Sequence, residues 1–343
     1  MQKPLIKPMP TTLITGFLGA GKTTYLNHVL EKNKQTRYAI IENEFGERGI
    51  DNDLILRPDE SIIEINSGCL CCTLNDDLYD ILNELFERRD SFDEVIIEAT
   101  GVADPSAMAQ PFLTHPLIRK HFPLQTIICL VDAQTVLDRI EQTEEALQQI
   151  VYSDILFINK TDLVSDHHLS LVEEELQQIN PLAKIYRGNK ENIPSIDPSR
   201  FNDEKLSEIV KQSGEKIEDK EDLAFPLKGK SNPLKHKHTK GLKSLTFTYD
   251  QPFDYQVLHQ QLFVYMAFQS KGLYRVKGFL WLADEEHQFL LQSAGKQIDI
   301  KIKRAWEKQE KKQSTIVFIG KDLQRPGLDK MLRRALVSAK VNQ

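Results

Sequence analysis

The chain has 343 residues, of which 44 are basic and 50 acidic, and its net charge of −6 gives no overall signature of nucleic-acid binding. Its length allows a sizeable core and predicts two domains. The opening MQKPLIKPMP lacks the apolar segment of a secretory signal, and no apolar run reaches membrane-spanning length. We therefore expect a cytoplasmic protein that binds neither nucleic acid nor membrane.

Short β-branched runs alternate with helix-like segments over the first half of the chain. They predict strands at residues 11–15, 38–43, 94–100, 126–133 and 154–162. Buried apolar strands separated by helices are typical of a doubly wound, mostly parallel sheet with helices on both faces. We predict such an α/β domain, of the P-loop NTPase type, over residues 1–200.

The pattern changes in the last third of the chain. Residues 201–240 are strongly charged and predict a linker. The domain predicted over 241–343 has strands at 243–250, 272–282, 287–294 and 314–320, a helix at 255–269 and an amphipathic helix ending near residue 340. Strands mixed with two helices predict a small α+β domain.

The segment GFLGAGKT, residues 16–23, follows a predicted strand and precedes a predicted helix, as a P-loop does. Its glycines let backbone N–H groups converge on phosphate oxygens, and the helix N-terminus adds partial positive charge. We predict that Lys22 reaches the β- and γ-phosphates and that the Thr23 hydroxyl ligates Mg²⁺. The predicted phosphate-binding residues are Gly16, Gly19, Ala20, Gly21, Lys22, Thr23 and Thr24.

A second motif, NKTD at residues 159–162, ends the fifth predicted strand. An aspartate can accept hydrogen bonds from both N1–H and the 2-amino group of guanine, whereas adenine offers no such donor pair. We therefore predict that Asn159, Lys160 and Asp162 bind guanine and that the nucleotide is GTP.

Carboxylates between these motifs are candidates for the metal that accompanies the nucleotide. Glu98 lies at the end of a predicted strand, where it could hold Mg²⁺ or position the attacking water, and Gly101 could offer its N–H to the γ-phosphate. The acidic run at 41–51 lies where a GTPase places its first switch, so Glu42 and Glu44 are candidate metal ligands, with a solvated acidic face as the alternative. The predicted catalytic residues are Lys22, Thr23 and Glu98. No water-positioning glutamine or arginine finger is obvious near the motifs, so we expect slow intrinsic hydrolysis.

Three of the four cysteines form a C-x-C-C cluster at Cys69, Cys71 and Cys72. Neither a strand nor a helix brings all three together, so their convergence needs a turn, which Gly68 permits. Crowded thiolates repel one another, and a cation such as Zn²⁺ or Cu⁺ would make the arrangement favourable. Redox chemistry, inert burial and a nucleophilic role stay open as alternatives. Cys129, in an apolar run, is predicted to lie in the core.

The motifs GFLGAGKTT, ENEFGE, SGCLCC, EATGVADP, VDA and NKTD, in this order and spacing, resemble the CobW-like GTPases, and LYRVKGFLWL and VFIGKDL resemble their C-terminal domain. The resemblance implies a GTPase that binds zinc through Cys69, Cys71 and Cys72 and delivers it to a client metalloprotein. The implied cofactors are GTP, Mg²⁺ and Zn²⁺. Many members carry a histidine-rich linker, of which only His236 and His238 remain here, so we interpret the linker as a solvated basic segment.

Two functions stay open at this point. The first is a GTP-dependent metallochaperone in which the γ-phosphate orders segments around the cysteines and so changes metal affinity. The second is a P-loop kinase or biosynthetic enzyme with a structural zinc site. The NKTD motif favours the first, because kinases do not generally need guanine selectivity, and a redox-sensing GTPase is a third alternative. The sequence leaves the client, the physiological metal and any homo-oligomer undetermined.

Overall fold

The computed structural model describes residues 7–43, 62–67, 74–196, 206–209 and 241–337. The chain folds as two compact units, one with the first seven strands and one with the last five. The predicted domain boundaries near residues 200 and 240 fall outside the described ranges and stay predictions. Within those ranges, no helix has both the length and the apolar character needed to cross a bilayer.

The first unit is built on a seven-stranded sheet in which every pairing is parallel. The strand order is β3-β2-β4-β1-β5-β6-β7. The bounds are β1 (Thr11–Gly16), β2 (Tyr38–Asn43), β3 (Ile62–Ser67), β4 (Glu94–Glu98), β5 (Leu124–Asp132), β6 (Ile155–Asn159) and β7 (Lys184–Arg187). The predicted α/β class is confirmed, although β3 and β7 were not predicted, and β4 and β6 end earlier than predicted.

Seven α-helices connect these strands in the described part of the unit. They are α1 (Lys22–Lys32), α2 (Leu74–Glu87), α3 (Pro105–Thr114), α4 (Pro116–His121), α5 (Val136–Gln142), α6 (Glu144–Tyr152) and α7 (Asp166–Ile179). Local chemistry fixes several starts. Asp104 accepts from Ser106 N ahead of α3, and Thr143 accepts from Ala146 N ahead of α6. Two glutamates in the first turn of α6 complement the helix dipole.

Both faces of the parallel sheet are buried. Ile14, Ile40 and Ile96 form one core cluster with Tyr25 and Leu26 of α1. The alternating residues of the same strands, among them Leu13, Ile41 and Ile97, point to the opposite face and are also buried. Burial on two faces explains why these strands read as continuous apolar runs.

Strand β1 lies inside the sheet between β4 and β5, so the chain leaves it towards one side and later returns to the other. Ligands in open α/β sheets bind beyond the carboxyl ends of strands at such a crossover. Here Gly16, Glu98, Asp132 and Asn159 are the last residues of β1, β4, β5 and β6. The fold therefore brings these candidate binding residues, which are distant in sequence, to the carboxyl edge of the sheet.

The second unit is an antiparallel sheet of order β11-β10-β9-β12-β8, with two helices in residues 241–337. Its elements are β8 (Leu242–Tyr249), α8 (Tyr255–Phe268), β9 (Leu273–Trp281), β10 (His287–Ala294), β11 (Gln297–Ala305), β12 (Ser314–Lys321) and α9 (Arg325–Arg333). Strand β11 was not predicted. Phe247 and Phe318 of the sheet pack with Leu258 and Leu332 of the helices, in agreement with the predicted α+β class.

The last helix ends earlier than the sequence predicted. It stops at Arg333 instead of continuing to about residue 340. The chain turns after Leu332, and Leu336 then forms an antiparallel bridge with Phe253. That extended pairing cannot continue a helix, which is why the amphipathic pattern alone overestimated its length.

Candidate nucleotide-binding site

The loop between β1 and α1 has the backbone of a phosphate loop. Gly16 and Gly21 have φ values of 134° and 99°, in the left-handed region that favours glycine. A Cβ on Gly16 would lie 2.3 Å from the carbonyl oxygen of Leu130, and one on Gly21 would lie 2.4 Å from Nδ2 of Asn159. Both positions therefore need glycine for conformation and for space.

The remaining residues of the loop turn tightly into α1. Gly19 has a φ of 77°, and the buried Ala20 donates its N–H to the carbonyl of Phe17 at 3.1 Å. Lys22, the first residue of α1, is buried, and its Nζ donates to the carbonyl of Gly16 at 3.0 Å. A cationic amine is thus held at the mouth of the loop. Thr24 is exposed on the first turn of the helix.

Thr23 and Glu98 form the pair of oxygen donors best placed for a cation. The hydroxyl of Thr23 donates to Oε1 of Glu98 at 3.2 Å, across 75 residues of sequence. Glu42 on β2 is in register with Glu98 on β4, so both carboxylates leave the same face of the sheet. Hydroxyl and carboxylate oxygens are the ligands that Mg²⁺ takes, usually together with substrate phosphates, so this pair fits Mg²⁺.

The loop after β4 is fixed against the phosphate loop. Ala99 donates its N–H to the carbonyl of Ile14 at 2.8 Å. Gly101 approaches so closely that a Cβ on it would lie 2.5 Å from the backbone nitrogen of Leu18. From the other side, Nε2 of Gln149 donates to the carbonyls of Gly101 at 3.0 Å and Ala103 at 3.4 Å. No motif in the sequence singles out Gln149, which is one of two adjacent glutamines in a helix.

The NKTD motif is tied directly to the phosphate loop. Asn159 is buried, and its Nδ2 donates to the carbonyl of Ala20 at 2.9 Å, while its Oδ1 accepts from the N–H of Lys160 at 2.9 Å. Lys160 has a φ of 59°, which turns the chain sharply into the 3₁₀ turn Thr161–Leu163. That turn leaves Asp162 exposed and free of the apolar core. Asn159 therefore connects the two loops through hydrogen bonds, a role that the motif alone did not reveal.

Asp132, the last residue of β5, supports the same motif. Its Oδ2 accepts from Nζ of Lys160 at 2.7 Å, and its Oδ1 accepts from the N–H of Gln134 at 2.9 Å. On the next residue, the carbonyl of Ala133 lies 2.9 Å from Nε2 of His168. The only sequence signal for this carboxylate was the short segment VDA, which did not assign it a role.

The predicted site residues Cys69, Cys71, Cys72 and Glu44 lie outside the described ranges, as do the linker histidines His236 and His238. Among the residues that are described, no group of three or more His, Cys, Asp or Glu side chains comes together as a metal site. Cys129 is described, and its prediction as a core residue is confirmed: it is buried in β5, and burial raises the pKa of its thiol to about 12.

The parallel sheet, the strand–GFLGAGKT–helix unit and the NKTD turn at the same edge define a P-loop GTPase. Comparison with known proteins agrees with this class. Residues 10–187 match the family model described as CobW/HypB/UreG, nucleotide-binding domain, and residues 242–336 match the cobalamin synthesis protein cobW C-terminal domain. The chain belongs to the CobW/HypB/UreG family.

Individual relatives extend over most of the chain. The chain is 32% identical over 319 residues to the zinc chaperone YjiA of Escherichia coli, covering 92% of this chain and 95% of that protein. It is 34% identical over 217 residues to the zinc-regulated GTPase metalloprotein activator 1 of Schizosaccharomyces pombe, covering 60% of this chain and 52% of that protein. The crystal structure of Zn(II)-bound YjiA GTPase from E. coli matches with a TM-score of 0.65 at 28% identity, covering 96% of this chain and 100% of that one. The predicted CobW-like membership and the GTPase class are confirmed.

Proposed function

We propose that this protein is a GTP-dependent zinc metallochaperone, which binds zinc through Cys69, Cys71 and Cys72 and transfers it to a client protein as GTP is hydrolysed. The observation that carries the proposal is similarity over 92% of the chain to a protein named as a zinc chaperone. The cysteine cluster supplies the soft ligands that such a cargo needs.

The described residues account for nucleotide binding in physical terms. The N-terminus of α1 and the Lys22 amine attract the phosphates, and Asp162 accepts hydrogen bonds from guanine. Thr23 and Glu98 would hold Mg²⁺, which when bound offsets the negative charge of the β- and γ-phosphates. The bond from Lys160 to Asp132 keeps the base-binding turn in place before the nucleotide arrives.

The strand order explains how a nucleotide could act on the cysteines. The cluster belongs to the segment that joins Ser67, at the carboxyl end of β3, to Leu74, the first residue of α2. Strand β3 pairs with β2, and β2 pairs with β4, whose last residue is Glu98. Segments that follow β2, β3 and β4 therefore begin at one edge, where a γ-phosphate could bias them together. Such coupling is reciprocal, so zinc must change GTP affinity by the same factor.

The proposal is tested by measuring zinc affinity with a non-hydrolysable GTP analogue and with GDP. We expect stoichiometric zinc in the wild type, a difference between the two nucleotide states of about fivefold or more, and no stoichiometric zinc when Cys69, Cys71 and Cys72 are all replaced by alanine. Cys129→Ala is the matched control, because it removes a buried thiol outside the cluster. Zinc retained by the triple variant would remove the cysteine assignment, and equal affinities would remove the gating.

The kinase alternative makes a different prediction about where the phosphate goes. A chaperone of this class transfers the γ-phosphate to water, whereas a kinase transfers it to an acceptor. Turnover should therefore release inorganic phosphate from GTP without any added acceptor, and Lys22→Ala should weaken nucleotide binding. Acceptor-dependent turnover would favour the kinase.

A further inference from the structure

Gln149 is a buried amide that none of the assigned functions uses. It lies on α6 and is only 1% exposed. Its Nε2 donates hydrogen bonds to two carbonyls of one loop. Those carbonyls belong to Gly101 and Ala103, which follow β4. A buried amide donor directed at a single loop restricts that loop more than apolar packing would, because its hydrogen bonds have a direction.

The loop is held between this amide and the phosphate loop. Gly101 leaves no room for a Cβ beside Leu18, and the N–H of Ala103 donates to the carbonyl of Thr100 at 3.1 Å, which closes a turn around Gly101. Because a trans peptide directs its C=O and N–H to opposite sides, fixing the Gly101 carbonyl towards Gln149 turns the following N–H away from α6. The bond that the Thr100 carbonyl accepts from Ala103 likewise fixes the Thr100–Gly101 peptide, and with it the direction of the Gly101 N–H, the group predicted to meet a γ-phosphate.

We propose that Gln149 is a positioning residue for GTP: it holds the Gly101 loop against the phosphate loop in the arrangement that a γ-phosphate binds. The inference rests on the GTPase function proposed above. Gln149 does not touch the nucleotide itself. It acts through the backbone of Gly101, so its loss should weaken recognition of the γ-phosphate while leaving the guanine and the β-phosphate sites in place.

Comparing the affinities for GDP and GTP distinguishes this role from a general structural one. A residue needed only for folding would weaken GDP and GTP binding equally, because both use the phosphate loop and the guanine motif. A residue that orders the γ-phosphate loop changes the ratio, since only differential interaction shifts a conformational equilibrium.

The experiment uses Gln149→Met, which keeps the length and apolar stem but has no donor, and Gln149→Glu, which keeps the shape. The matched control is Gln148→Met, at the neighbouring, half-buried position of α6. For each we would measure the dissociation constants of GDP and of a non-hydrolysable GTP analogue, together with kcat and KM for GTP. With Gln149→Met we expect GDP affinity within twofold of wild type, while GTP-analogue affinity and kcat fall by about tenfold or more, because both hydrogen bonds from Nε2 to the loop are lost.

Gln149→Glu adds a pH test within one variant. A protonated glutamic acid can donate one hydrogen bond to Gly101, whereas the carboxylate cannot, and burial raises the pKa of such a group. The ratio of GTP-analogue to GDP affinity in this variant should therefore recover as the pH falls, relative to wild type at the same pH. Gln148→Met should behave as wild type throughout.

Two results would overturn the positioning role while leaving the GTPase proposal intact. One is an unchanged ratio of GTP-analogue to GDP affinity in both Gln149 variants, and the other is a parallel loss of both affinities. Failure of the wild type to bind any guanine nucleotide would instead overturn the proposed function. If Gln149→Met does not fold, wild-type hydrogen exchange decides: the Gln149 side-chain amide should exchange more slowly with the GTP analogue than with GDP, and equal rates would contradict the inference.

Discussion

Replacing Asn159 by alanine removes the hydrogen bonds that connect the NKTD turn to the phosphate loop. Two hydrogen bonds of 2.9 Å are lost, one donated to the carbonyl of Ala20 and one accepted from the N–H of Lys160. Asn159 is 8% exposed, so water replaces these bonds poorly. At about 1 kcal/mol for each bond, the arrangement that binds nucleotide loses about 2 kcal/mol, which corresponds to a dissociation constant about 30-fold higher.

The assay is titration of a fluorescent GDP, followed by competition with GTP and with xanthosine nucleotides. Because Asn159 connects loops, Asn159→Ala should weaken GDP and GTP alike and leave the preference for guanine unchanged. Asp162→Asn should instead move the preference towards xanthosine triphosphate. Asn33→Ala is the control, since it removes side-chain hydrogen bonds at the far end of α1, which Asn33 makes to the carbonyl of Val29 and to Tyr38. GDP affinity within twofold of wild type, or a changed base preference, in Asn159→Ala would refute this reasoning.

Three further predictions concern other parts of the chain. Gly21→Ala should raise the dissociation constant of GDP at least tenfold in the same titration, because its Cβ would displace Asn159 and its φ is strained for alanine. Cys129 should stay unmodified by an alkylating reagent at pH 8 until the protein is unfolded, as mass spectrometry can show, because burial raises the pKa of its thiol to about 12. In the second unit, burial raises the pKa of Asp329, but hydrogen bonds from Arg333 and Tyr249 outweigh it and leave that pKa below the ordinary value. The ionised Asp329 therefore stabilises the fold above the ordinary aspartate pKa, and this stabilisation is lost as the pH falls through the folded pKa. In urea unfolding between about pH 3 and 7, the free energy of unfolding of Asp329→Asn should fall less steeply towards acid pH than that of the wild type.

The parts of the fold that the sequence predicted are those with local signals. Strands β1, β2, β4, β5 and β6 are apolar runs buried on two faces, and the phosphate loop and NKTD are short contiguous motifs. The missed strands have weaker patterns. Strand β7 has four residues and forms one end of its sheet, and β11, at the end of the other, alternates apolar residues with charged ones. End strands are paired on one side alone, so their composition is less apolar.

The contacts that define the site could not be read from the sequence, because they are non-local. The bond from Asn159 to Ala20 spans 139 residues, and the bond from Gln149 to Gly101 spans 48. A single buried amide in an amphipathic helix has the same local pattern as a solvated one, and only the packed sheet distinguishes them. The CxCC cluster shows the opposite case, since its chemistry is visible in the sequence while its geometry lies outside the described residues.

The sheet itself restricts how nucleotide and zinc could be coupled. Strands β3, β2, β4 and β1 are joined by continuous parallel ladders. Ile41 and Ile97, which pair with each other just before the carboxyl ends of β2 and β4, are fully buried. Close-packed strands of this kind do not change register by small steps, because a one-residue slip would exchange their two faces. Under the proposed coupling, the change with nucleotide would therefore lie beyond the end of β4, in the loop around Gly101. Substitutions within the strands should alter stability with little effect on the ratio of zinc affinities, whereas substitutions in the loop around Gly101 should alter that ratio at nearly constant stability.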